Sequence, residues 1–72
     1  MPEYVVNIWK GDLKHTIVLD GKELDKLTDA LVAVDGNEWI QISGILDEAD
    51  RGSLFLVIRK SEITSWCYWE CK

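Results

Sequence analysis

Four tryptophans constrain this chain more than any other feature: Trp9, Trp39, Trp66 and Trp69 all fall in segments that read as β-strand and are apolar on both faces. Side chains alternate across a strand, so such segments put apolar surface on both sides of any sheet they form. One helix is readable beside them, and a helix of about 13 residues spans only ~20 Å, too little to cover two faces of a five-stranded sheet. Either the second face has another partner, or the sheet curls into a small barrel with the helix plugging one end.

The segments follow from local pattern. Tyr4 to Lys10 carries Val5, Val6, Ile8 and Trp9, the β-branched and aromatic content of a strand. Gly11-Asp12 supplies turn chemistry, and Lys14 to Leu19 continues as the second arm of an antiparallel hairpin. At Asp20 the period changes. The Asp20 carboxylate is placed to cap first-turn amides, with Glu23 at the capping-box position, and Leu24, Leu27, Leu31 and Val34 recur at three- and four-residue steps. This predicts an amphipathic helix over 22–34, closed by Asp35-Gly36-Asn37 through a left-handed residue.

Glu38 to Ser43 reads as a third strand that Ile45 and Leu46 extend, with Gly44 marking a bulge. Asp47 to Ser53 reads as a solvated loop. Leu54 to Arg59 is an unbroken apolar run, the pattern of a central strand buried on both faces. After the polar break Lys60-Ser61-Glu62, Ile63 to Trp69 forms the last strand. The expected fold class is α+β, a single domain over residues 1–72 in ββαβββ order with an antiparallel sheet.

A chain of this size holds one core, which supplies a net stability of about 3–5 kcal/mol, so oligomerisation is a common support. The apolar fraction of 47% is that of a folded protein. The net charge of −5, with Lys10, Lys14, Lys22, Lys26, Arg51, Arg59, Lys60 and Lys72 scattered, argues against a nucleic-acid partner, which needs a cationic stripe. Met-Pro-Glu-Tyr begins no secretory signal and no apolar run reaches membrane-spanning length, so the expectation is a cytoplasmic protein with no membrane partner. Two cysteines are too few for a disulfide scaffold.

Nothing in the sequence assembles a catalytic set, so the reading is non-enzymatic, without metal or other cofactor. On an extended strand Cys67 and Cys71 would stand about 13 Å apart at their Cα atoms, beyond the ~7 Å reach of a disulfide. A zinc site wants four ligands, and the only further soft ligand is His15. His15 lies between Lys14 and Thr16 without a nucleophile motif around it, and Ser43, Ser53, Ser61 and Ser65 form no nucleophile elbow. Asp47, Glu48 and Asp50 lack the alternating ligands and closing glutamate of a calcium loop. The isolated glycines build no phosphate cradle.

Two functional expectations result. The first is a protein-interaction module that self-associates as a homodimer through apolar and aromatic sheet surface, with Trp9, Trp39, Trp66, Tyr68 and Trp69 as interface candidates. The second is an acidic binder or inhibitor of a basic or nucleic-acid-handling protein, using Asp20, Glu23, Asp25, Asp29, Asp35 and Glu38 around the helix, a run that Lys22 and Lys26 interrupt. The closing segment over residues 54–69, an apolar strand ending Ile-Arg-Lys-Ser-Glu-Ile before a final strand, resembles the last two strands of Sm-like and SH3-like small barrels. The Sm-like pattern has glycine where Lys60 stands and a helix before all its strands, so the resemblance implies a strand, turn and strand and transfers no functional residue.

Overall fold

A computed structural model describes residues 2–33, 36, 38–46, 49 and 51–71. The elements run β1 (Glu3–Lys10), β2 (Leu13–Asp20), α1 (Gly21–Val32), β3 (Trp39–Ile45), β4 (Ser53–Arg59), a 3₁₀ turn (Lys60–Glu62) and β5 (Ser65–Glu70). The five strands form one antiparallel sheet in the order β4-β3-β2-β1-β5. The α+β class and the ββαβββ order expected from the sequence are therefore what the chain adopts. The barrel alternative is not: β4 and β5 lie at opposite ends of the order, and the sheet is open.

The β1–β2 hairpin closes on Gly11-Asp12, where Lys10 pairs with Leu13 and Gly11 has φ of 64°. A positive φ at the first turn position alone is the pattern of a II′ turn, which matches the twist of the flanking strands. Thr64 secures this corner from below, its hydroxyl accepting from the Gly11 amide and donating to the Trp9 carbonyl. The helix begins as its cap predicts, with Asp20 Oδ1 accepting from the Glu23 amide at 2.8 Å. The reciprocal half of a capping box is not made. Glu23 Oε1 turns instead to Lys26, and Glu23 Oε2 is buried with no partner among the described residues.

Three readings of the sequence are corrected. The helix ends at Val32, not 34, because Ala33 is already extended and its amide bonds back to the Asp29 carbonyl. Val34, Asp35 and Asn37 lie outside the described residues, as do Asp47, Glu48 and Asp50 of the acidic loop. Second, Gly44 is no bulge, since it pairs in register with Leu54. A Cβ built on it would stand 2.3 Å from the Val18 carbonyl oxygen and 2.8 Å from Leu19 Cδ2, so glycine is there to let β2 approach. Third, Leu54–Arg59 is an edge strand and not a central one. Its inward face, Leu54, Leu56 and Ile58, packs on the core, but Phe55 and Val57 on the other face are exposed.

Pairing parity places the core. Tyr4, Val6 and Ile8 of β1 lie opposite Leu19, Ile17 and His15 of β2, and Ile40 and Ile42 of β3 lie opposite Ile58 and Leu56 of β4. Leu24 and Leu27 of α1 close over them, so the core is Val6, Ile8, Ile17, Leu19, Leu24, Leu27, Ile40, Ile42 and Ile58. Residues of the opposite parity form a face that no helix covers. β2 and β3 meet through a single ladder pair, Val18 with Ile45, so two subsheets join at one corner. We expect Gly44→Ala to force that corner apart and cost about 3 kcal/mol, the upper part of the overpacking range. Urea unfolding checks this, with Gly21→Ala as control, whose Cβ would meet, among the described residues, only Tyr4 Cε2 at 3.9 Å and whose midpoint should stay near that of the parent.

Candidate interaction surface

The uncovered face is built from every second residue of each strand. Phe55, Val57 and Arg59 of β4 pair with Ser43, Gln41 and Trp39 of β3, and Val5, Asn7 and Trp9 of β1 pair with Trp69, Cys67 and Ser65 of β5. Its middle is filled by the chain itself: Val18 is 2% exposed and Asn7, which accepts from the Thr16 hydroxyl at 2.7 Å, is 8% exposed. Its flanks are open. Phe55 is 62% exposed, Trp39 52%, Trp69 50% and Val57 48%. The Arg59 guanidinium lies 5.0 Å from the centre of the Trp39 ring and its Nε reaches Glu38 at 3.9 Å, so the one charge on the β4 side of this face is held against its border.

The five aromatic residues nominated from the sequence do not form one patch. Trp9, Trp39 and Trp69 lie on the uncovered face, Trp39 on the β3 side and Trp9 and Trp69 on the β1–β5 side. Trp66 and Tyr68 belong to the helix side, opposite Ile8 and Val6. There α1 packs chiefly on β3, β2 and β1, leaving the β5 margin to aromatics. Trp66 stacks on Tyr68 at 6.1 Å with 12° between planes, and Tyr4 meets Tyr68 edge-on at 6.2 Å. Alternation along β5 points Trp66 and Trp69 opposite ways. Phe55 and Val57 were missed as surface residues because an apolar run in sequence looks the same whether one or both of its faces are covered.

Cys67 and Cys71 form no disulfide, and Cys67 is exposed on the uncovered side of β5. His15 lies on the other side of the sheet, opposite Ile8, so the histidine and the Cys67 thiol cannot meet through this fold. Among the described residues no three His, Cys, Asp or Glu side chains converge as metal ligands would. Among them also, no helix is long and apolar enough to cross a membrane. Around the helix, Asp25 and Asp29 are exposed together with Lys22 and Lys26, a mixed surface rather than a continuous acidic one. No family model, curated protein or solved structure matches this chain.

One ion pair ties the polar β3–β4 connection to the start of β1. Arg51 donates to both Glu3 oxygens, Nη2 to Oε2 at 2.7 Å and Nη1 to Oε1 at 3.4 Å. Hydrogen bonding from Arg51 holds the Glu3 carboxyl below the usual glutamate range. A carboxylate with a lowered folded-state value contributes stability above its unfolded value, near about pH 4.3, and loses it as pH falls through the folded one. The pair is solvent-facing, so its contribution is small and salt-sensitive. Glu3→Gln should therefore lower the urea midpoint slightly at pH 7 and low salt, with the gap closing as pH drops below that range. A gap that widens on acidification would contradict this sign.

Proposed function

We propose that this protein is a non-enzymatic interaction module that self-associates as a homodimer through the apolar surface of its sheet. The observation that carries the reading is the β3–β4 hairpin. Trp39, Phe55 and Val57 all lie on the side away from the helix, each about half exposed or more. Large side chains left in water so close together are unusual unless they mark an interface. A chain of 72 residues has in addition little core to spare for stability, which association supplements.

Composition supports a protein partner over nucleic acid. Aromatic platforms for bases are paired with cationic grooves. The cations placed toward this face are dispersed: Lys14 lies opposite Trp9, Arg59 is stacked on Trp39, and Arg51 is paired with Glu3. The overall charge of −5 adds repulsion toward phosphate.

Light scattering after size exclusion at about 100 μM should give twice the 8.3 kDa chain mass. Phe55→Lys should weaken association by about 30-fold or more, as expected for an interface anchor worth ~2 kcal/mol. Trp66→Phe, on the helix side, should leave it near the parent value. A monomer of the parent chain under these conditions overturns the reading.

A further inference from the structure

The two edges of the sheet are not equivalent. In an antiparallel ladder, residues alternate between those whose backbone groups face one neighbour and those facing the other. The Lys60 amide bonds to the Glu38 carbonyl and the Leu46 amide to the Gly52 carbonyl, both in the β3–β4 register. These bonds fix the alternation: Leu54, Leu56 and Ile58 turn their amides and carbonyls to β3, while Phe55, Val57 and Arg59 turn theirs outward. The outward backbone groups of β4 thus belong to the same residues, Phe55 and Val57, whose side chains are exposed on the uncovered face. At β5 the Cys71 amide bonds to the Glu3 carbonyl, so the outward groups there belong to Trp66, Tyr68 and Glu70, whose side chains lie on the helix side.

We infer that two copies join edge to edge through β4, antiparallel about a twofold axis at Leu56, into a continuous ten-stranded sheet. The inference rests on the self-association proposed above and specifies how it is made. The strand is self-complementary in this register. Phe55 falls opposite Val57 of the second copy, Leu54 opposite Ile58, and Leu56 opposite itself, so apolar residues meet on both faces. Ser53 falls opposite Arg59, so no like charges oppose one another although each chain carries −5. β4 also lacks the proline, bulge or inward-pointing charge that natural edge strands use against pairing. A second copy supplies what the edge requires: outward amides and carbonyls at matching positions, and apolar side chains that extend the row of Phe55 and Val57.

The test removes one outward amide from each edge. Val57→Pro deletes a donor that β3 does not use, and edge strands tolerate proline. It should weaken the dimer by more than about tenfold, while Tyr68→Pro, the same change on β5, should leave it intact. Loss of the dimer in both variants would indicate β4-to-β5 assembly, and loss in Tyr68→Pro alone a β5 seam; either overturns the inference. Cross-linking decides independently if a proline variant fails to fold. In a Cys67→Ser, Cys71→Ser background, chains bearing Phe55→Cys mixed with chains bearing Val57→Cys should oxidise to a disulfide-linked pair, because opposed Cα atoms lie about 5.5 Å apart. Each variant alone should not, its thiols being diagonal and beyond the ~7 Å limit. A parent dimer that survives Val57→Pro and gives no mixed cross-link overturns the edge seam while leaving self-association standing; a monomeric parent overturns both.

Discussion

The fold hangs on the approach of β3 to β2 at Gly44. Three strands, β2-β1-β5, form one well-paired subsheet, and β3-β4 form another, yet the two are joined by a single ladder pair between Val18 and Ile45. That contact is possible because Gly44 carries no side chain at a point where a Cβ would reach the Val18 carbonyl oxygen at 2.3 Å. With the corner closed, Ile17 and Leu19 on one subsheet and Ile40 and Ile42 on the other become walls of one cavity, and Leu24 and Leu27 of the helix fill it. Without it the β3–β4 hairpin would have an apolar side too small to exclude water unaided, since a two-stranded hairpin is marginal on its own.

Placement of the helix over this corner determines what stays bare. α1 has 12 residues, about 18 Å of axis, and it lies across the junction, where the core needs most cover. Both outer strands extend beyond it. At β5 the helix side is finished by Tyr4, Trp66 and Tyr68 packing on one another, which half-buries an otherwise open margin. At β4 the helix side is filled by Leu54, Leu56 and Ile58 against the core, and the deficit appears on the opposite face as Phe55 and Val57. The same shortage of covering structure thus has two outcomes, aromatic rings packed on one another at β5, with Tyr68 still 46% exposed, and Phe55 and Val57 left at the surface of β4.

How much of this was legible in the sequence follows from the range of each interaction. The helix start was readable because Asp20 and the Leu24–Leu27 spacing act within a turn, and the Gly11 turn because a tight hairpin needs a positive φ at that spot. Strand parity was readable too, so the opposite orientations of Trp66 and Trp69 followed from alternation alone. Strand order was not. Nothing local in Leu54–Arg59 says that β2, with Lys14, His15 and Thr16, lies inside the sheet while this apolar run lies at its edge. The role of Gly44 was hidden for the same reason, since the atom it makes room for is the Val18 carbonyl oxygen, 26 residues earlier in the chain (44 − 18).

Charge sharpens the distinction between surfaces that can and cannot meet another chain. Lys10, Lys26, Arg51 and Arg59 each pair with a glutamate, at 3.1, 3.6, 2.7 and 3.9 Å. Exposed pairs of this kind add little to stability, but they neutralise cations locally and leave the helix and turns with the acidic excess that keeps copies apart at long range. The outer hairpin is different. Between Ser53 and Arg59 there are five consecutive apolar residues and no acid, and Arg59 is drawn toward Trp39 and Glu38. Repulsion between like-charged molecules is therefore weakest where apolar side chains and outward-facing backbone coincide. For the edge-to-edge pairing proposed above, an acidic chain whose β4 carries no charge but Arg59 leaves a second copy few orientations in which the seam could close.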